Sequence, residues 1–166
     1  MKANLFVVFQ YLLPRHWLTA AIYRIARIRN TRIKNFLITR FVRAFDVQLD
    51  EVRLDVPGDF ATFNEFFVRE LKDDAREIDD DSDAIISPVD GTVSFAGKIL
   101  GDSIFQAKGF DYSLSDLLAT DLEEVDRYID GNFATIYLAP YNYHRVHAPL
   151  AGELVAARYV PGDLFS

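Results

Sequence analysis

The chain has 166 residues, a formal net charge of −7, 50% hydrophobic residues and no cysteine. That length suits one domain with at most a small appendage. The hydrophobic and aromatic content excludes a disordered chain, and the lack of cysteine excludes disulfides, thiolate catalysis and Cys-ligated zinc. Residues 1–50 carry nine Lys and Arg against two Asp and Glu, net +7, and the rest carry nine against 23, net −14. A polyanion, either nucleic acid or an anionic membrane, is therefore expected at one end only, and body-wide nucleic-acid binding is not expected.

Ala3–Pro14 is uncharged and ends at Arg15. It falls short of the roughly 20 apolar residues that a spanning helix needs. Arg15, Arg24 and Arg27 follow the apolar run, so neither a span nor a signal peptide is expected. From Trp17 to Arg29 the spacing predicts a helix with Leu18, Ala21, Ile22, Ile25 and Ala26 on one face and Arg24 and Arg27 on the other. A second helix, Arg32–Phe45, sets Phe36, Leu37, Phe41 and Phe45 against Arg40 and Arg43. Such helices suit a membrane interface, and equally two helices packed on the body with solvated arginines outside. The lack of any acidic residue before Asp46 favours the membrane, with Leu13, Trp17, Leu18, Ile22, Arg24 and Arg27 as the expected contacts.

Pro57-Gly58-Asp59 breaks the chain, and Thr62-Phe63-Asn64-Glu65 reads as a capping box opening a short helix through Leu71 that buries Phe63, Phe66 and Phe67. Asp79–Asp83 reads as a solvated loop whose spacing does not match an EF-hand. Ala84–Ile86 and Thr92–Phe95 are strand candidates around the turn Pro88-Val89-Asp90-Gly91. Ser113 and Asp116 can cap a helix holding Leu114, Leu117 and Leu118. Asp130-Gly131-Asn132 turns the chain into a strand at Phe133–Ala139, and Glu153–Val160 is a last strand candidate. The expected class is α+β: amphipathic N-terminal helices, then a mainly antiparallel β body with short helices, incomplete at its C-terminus.

Two of the three histidines, His144 and His147, fall in one loop, Tyr141–His147, between Pro140 and Pro149. Imidazole titrates nearest neutrality, so proton chemistry is the favoured use of this loop. A structural role comes second. A metal site comes third, because no third ligand stands at a telling spacing. On a helical turn the two histidines would share a face, and on a strand they would oppose. Asp90, in its tight turn, can orient a histidine as the Asp of a Ser-His-Asp set does, although Asp-Gly is common in turns for backbone reasons alone.

Thr62–Arg69 (TFNEFFVR), Pro88–Gly91 (PVDG), Gln106–Leu118 (QAKGFDYSLSDLL), Tyr137–Pro149 (YLAPYNYHRVHAP) and Tyr159–Ser166 (YVPGDLFS) together resemble the membrane-associated bacterial phosphatidylserine decarboxylases, in that family's order. The resemblance implies a pyruvoyl enzyme made as a proenzyme. A serine in a Leu-Gly-Ser motif attacks the preceding carbonyl, the ester eliminates, and the serine becomes the pyruvoyl group. Asp90 and His147 match the residues that activate that serine. His144 matches the one that handles the proton after CO₂ leaves phosphatidylserine to give phosphatidylethanolamine. No glycine of this chain is followed by serine, so the pyruvoyl serine is not in it, and Ser166 is not read as the nucleophile.

The resemblance implies a basic membrane-docking region at 1–56 and a partial catalytic domain at 57–166, peripheral on the cytoplasmic face of the cell membrane. The implied partners are anionic phospholipid, phosphatidylserine and the missing pyruvoyl segment. A homodimer is allowed, and neither metal nor nucleic acid is expected. Alone, the chain is expected to be inactive and to expose unpaired strand edges. The rival readings are a non-catalytic membrane-binding relic, a Ser-His-Asp hydrolase, and decarboxylation of a related archaeal-type lipid.

Overall fold

The computed structural model describes residues 15–81, 83–99, 101, 103–106, 110–119 and 125–160. Leu13, the rest of Ala3–Pro14 and Ser166 lie outside these residues. The described chain forms two compact units, 15–72 and 73–160, each with its own core, and the mixture of helices and antiparallel strands is the expected α+β class.

The first unit contains α1 (Arg15–Ala26), α2 (Thr31–Phe45) and α3 (Phe63–Phe67). Asn30 starts α2 by accepting hydrogen bonds from the amides of Arg32 (3.1 Å) and Ile33 (3.2 Å), which satisfies two of the orphan donors of a helix start. Asp46 ends α2 in the left-handed region, φ 52°, with its amide bonded to Val42 O. The core consists of Ile38, Val47, Val52, Phe60 and Phe66, framed by Phe41, Val42 and Phe63. Phe66 packs edge-on against Phe60, with centroids 5.5 Å apart, and Phe41 meets Phe63 edge-on at 5.2 Å.

The buried stripe of α2 runs through Lys34, Ile38, Phe41 and Val42, while Phe36 is 63% exposed. This corrects the expected Phe36-to-Phe45 face. A buried lysine is tolerable there because its Nζ donates to the carbonyls of Pro57 (2.7 Å) and Gly58 (3.1 Å), so the ammonium is hydrogen-bonded where burial would otherwise cost most.

At the capping box, Thr62 Oγ1 accepts from the Glu65 amide at 3.1 Å. The Glu65 carboxylate reaches back to Ala61 N, at 2.9 Å, one residue before the cap. Helix α3 stops at Phe67 and does not reach Leu71. The chain after Val68 extends instead and pairs antiparallel with residues 51–53, through the Val52–Leu71 bridge and the bonds Arg53 N to Glu70 O and Lys72 N to Glu51 O.

The second unit contains β1 (Thr92–Lys98), β2 (Ser103–Gln106), β3 (Phe110–Ser113), α4 (Leu114–Leu118) and β4 (Asn132–Tyr137). Strands β1 and β4 pair antiparallel from Thr92–Tyr137 to Lys98–Asn132, with a bulge between Val93 and Phe95. The hairpin of β2 and β3 was not expected from sequence. Ser113 caps α4 by accepting from the Asp116 amide at 3.0 Å. The Asp130-Gly131 turn places Asp130 at φ 62° and closes with Gly131 N to Tyr128 O at 3.0 Å. The core is Ile99, Leu114 and Val125 with Leu118 and Phe133 against it.

Two expected strands are absent among the described residues. Glu153–Val160 carries no ladder, and Leu154, Val155 and Tyr159 are 84–91% exposed. An apolar extended segment becomes a strand only when a neighbouring backbone completes its hydrogen bonds, and none of the described residues offers one. Arg158 holds part of the segment by donating to Leu118 O at 3.0 Å.

Ala84–Ile86 is likewise irregular, yet Ile86 N donates to Pro149 O (3.2 Å) and His147 N donates to Pro88 O (2.8 Å). These residues occupy the spacing of two successive hydrogen-bonded pairs of an antiparallel ladder. Each pair contains a proline without an N–H, so each retains one bond instead of two.

Replacing Ile38, fully buried on α2, with Ala is expected to lower unfolding free energy by about 2–5 kcal/mol. Phe36→Ala, on the exposed face, should change it by less than about 0.5 kcal/mol; urea unfolding of the two variants tests the corrected face of α2.

Candidate active site

The chain leaves β4 through a tight turn at Ala139–Asn142. The Ala139 amide donates to Asn142 Oδ1 at 2.7 Å, and the Asn142 amide donates back to Ala139 O at 2.9 Å. Pro140 lies between them with the backbone already restricted for a turn. The chain then runs irregularly through Tyr143–Ala148, so neither the helical nor the strand relation between the histidines applies.

His147 is held from two directions. Its amide bonds to Pro88 O, and its Nε2 lies 2.8 Å from the Tyr143 hydroxyl, with the two rings stacked at 5.5 Å between centroids. The Tyr143 contact fixes the ring plane and assigns one nitrogen a partner, which for imidazole also constrains the tautomer. His144 is half-buried, with its Nε2 shielded from solvent.

The Pro88–Gly91 bend lies against the same loop through the two proline-limited bonds. Ser87 Oγ closes its start by donating to Val89 O at 2.7 Å. Gly91 ends it where nothing larger fits: a Cβ would stand 2.7 Å from both Ile136 Cγ2 and Tyr137 O on β4. The Asp90 carboxylate points to Arg76, whose Nε is 3.1 Å from both oxygens and whose Nη2 reaches Oδ2. The structure therefore brings the backbones of the Asp90 and His147 segments together and gives their side chains separate partners.

Arg76 and Tyr143 were not singled out in the sequence. The available signals were that Arg76 is the one cation between Asp73 and Asp83, and that Tyr143 directly precedes His144. The described residues contain no group of three or more potential metal ligands. Carboxylates and imidazoles are groups able to carry proton transfer, and those of Asp90 and His147 have separate partners here.

Of the expected membrane contacts, Trp17 (79%) and Ile22 (57%) are well exposed on α1, with Leu18, Arg24 and Arg27 also exposed. The Arg27 guanidinium lies 3.6 Å from the Tyr23 ring centroid. Ile22, Ile25 and Ala26 face Leu37, Phe41 and Phe63 across a groove of about 340 Å³, with Arg40 also in its wall. No helix among the described residues is long and apolar enough to cross a membrane.

A family model described as phosphatidylserine decarboxylase matches residues 63–166, and one described as PSD matches residues 5–46. The chain belongs to the phosphatidylserine decarboxylase family. It is 46% identical over 166 residues to a phosphatidylserine decarboxylase proenzyme of Saccharophagus degradans, covering all of this chain and 58% of that protein. A proenzyme of the same name from Bordetella pertussis is 47% identical over 165 residues, covering 99% and 56%. One from Legionella pneumophila is 45% identical over 157 residues, covering 95% and 55%. The chain thus spans little more than half the length of these phosphatidylserine decarboxylase relatives.

Gly91→Ala should shift the bend, because its Cβ meets a β4 carbonyl that cannot rotate away. The expected loss is about 1–3 kcal/mol in chemical denaturation, together with a changed imidazole NMR shift for His147. An unchanged His147 signal would show that the bend does not position that loop.

Proposed function

We propose that this chain is the N-terminal part of a pyruvoyl-dependent phosphatidylserine decarboxylase, converting phosphatidylserine to phosphatidylethanolamine and CO₂ at the cytoplasmic face of the cell membrane. The observation that carries the reading is the hydrogen bond from His147 N to Pro88 O, which ties the histidine loop to the bend bearing Asp90 within a chain of this family. In this reading residues 1–56 dock on the membrane and residues 57–166 contribute to the catalytic domain. Phosphatidylserine, anionic phospholipid and the segment bearing the pyruvoyl serine are its partners.

The residues present fit a group that arises outside the chain. They supply a base, an acid and an orienting carboxylate, and no glycine is followed by a serine that could generate the pyruvoyl itself. When in place, that group supplies an electron sink for the pair left on the substrate carbon. Asp90 orients the His147 imidazole and stabilises its positive form. His147 takes the proton from the hydroxyl that begins self-cleavage, while Tyr143 keeps its ring in one orientation. His144 holds a proton and delivers it to the carbon that has lost its carboxylate, the role of a general acid.

The exposed Trp17, Leu18 and Ile22 supply apolar area for the acyl boundary of a membrane, and Arg24 and Arg27 supply attraction to anionic headgroups, about 1 kcal/mol for each basic residue near the surface. The acidic body favours such a one-ended arrangement.

Four results test this function. The 166-residue chain alone should release no CO₂ from phosphatidylserine above a His144→Ala control. In the full-length proenzyme, His147→Ala should block self-cleavage on a gel, whereas His144→Ala should leave a cleaved protein without decarboxylase activity. Serine-directed phosphonate labelling of the chain alone would instead support a hydrolase. Paired Trp17→Glu and Ile22→Glu substitutions should lower sedimentation with vesicles containing phosphatidylserine at least tenfold, and equal sedimentation with neutral vesicles would count against anionic docking.

A further inference from the structure

The function above rests on a carboxylate, Asp90, that is held by a side chain with no role in that account. Asp90 sits in a bend that its own backbone constrains weakly. Pro88 donates no hydrogen bond, Gly91 is fixed by close packing on β4, and the closing contact at the start is a side-chain bond from Ser87 to Val89 O. None of these sets the χ angles of Asp90. Arg76 does so, with Nε bonded to both oxygens and Nη2 to Oδ2. A planar fork that meets both oxygens defines the plane of the carboxylate, which a single point charge cannot do.

The clamp has an anchor. Arg76 Nη1 bonds to Ala75 O, so the guanidinium is tied to its own backbone while its remaining nitrogens grip Asp90. Oδ1 accepts one bond and Oδ2 two. Two carboxylate oxygens offer about four acceptor positions, so the clamp leaves acceptor capacity on Oδ1. The orienting Asp of a hydroxyl–imidazole–carboxylate set needs one further N–H from its histidine, which this arrangement accommodates. The position of Arg76 also has a reason in the sequence. In a stretch of seven acidic residues from Asp73 to Asp83 it is the only cation, so the nearby negative field favours keeping its charge where it stands.

We propose that Arg76 is a positioning residue of the self-cleavage step, clamping the Asp90 carboxylate in the plane from which it orients His147. The inference rests on the decarboxylase reading and deepens it. The side chains are about half exposed for Arg76 and a quarter exposed for Asp90, so the ion pair is not offered as a source of stability.

The test is gel-based self-cleavage of the full-length proenzyme carrying Arg76→Ala, Arg76→Lys, Asp90→Asn or, as a matched control, Arg53→Ala, which removes the exposed ion pair with Glu70 at 3.5 Å. Arg76→Ala should slow cleavage about ten- to a hundredfold, the range of effects seen when a reacting group is misplaced without being removed. Its melting temperature should stay with that of the Arg53→Ala control. Arg76→Lys keeps the charge without the fork and should fall between Arg76→Ala and the parent. Millimolar guanidinium should restore cleavage to Arg76→Ala and leave Asp90→Asn unaffected, a rescue that a merely structural role would not show. Cleavage of Arg76→Ala at the parental rate, or faster, alongside a blocked Asp90→Asn overturns the clamp and leaves the decarboxylase reading intact. Failure of guanidinium to restore it likewise overturns the clamp. Parental cleavage by Asp90→Asn overturns both.

Discussion

The candidate site depends on a ladder that two prolines hold to half strength. Ile86 N to Pro149 O and His147 N to Pro88 O are the bonds that survive where a regular antiparallel pair would make four. They fasten two segments about sixty residues apart in sequence, one carrying Asp90 and the other both histidines of the loop. Every side-chain relation proposed for catalysis builds on that junction. The side chains of the two fastened segments go to other partners. Asp90 reaches Arg76, and His147 reaches Tyr143.

The rest of the second unit supports this junction from one side. Strands β1 and β4 lead directly into its two arms, Phe95 stacks on Phe133 at 5.8 Å between them, and Gly91 lets the bend approach β4 closely enough to stay. The first unit solves a different problem. Its core joins Ile38 of α2 and Phe66 of α3 to Val47, Val52 and Phe60, and its α1 exposes Trp17, Leu18, Ile22 and Ile25. The charge split of the sequence falls across this division of labour, with arginines on the helices and carboxylates on the unit that bears the histidines.

Local chemistry was the part of the structure legible in the sequence. The caps at Thr62 and Ser113, the Asp130-Gly131 turn, and the two basic helices each depend on contacts within a few residues, and each is present. The failures are non-local. Ala84–Ile86 and Glu153–Val160 read as strands because they are apolar and β-branched, but a strand is a relation to a second backbone that the segment itself does not contain. The face of α2 was misjudged because apolar residues cover a wide arc of that helix and Phe36 outranks Lys34 on hydrophobicity. Only the carbonyls of Pro57 and Gly58, more than twenty residues away, make the lysine the buried member. At the site, the histidines and Asp90 were recognisable as residue types, whereas Arg76 was invisible because a lone arginine among acids looks like ordinary surface charge balance.

The bulge in β1 bears on the direction of chemistry. On either side of it the pairing with β4 differs by one residue, Val93 facing Ile136 and Phe95 facing Thr135. Side chains alternate between faces along a strand, so one surplus residue inverts that alternation for everything on its far side. Without the extra residue, Thr92 and Val93 would each set their side chains on the opposite face of the β1–β4 pair. The strand therefore works as a frame, read in steps of two, and a single surplus position resets the face on which Thr92 and Val93 set their side chains.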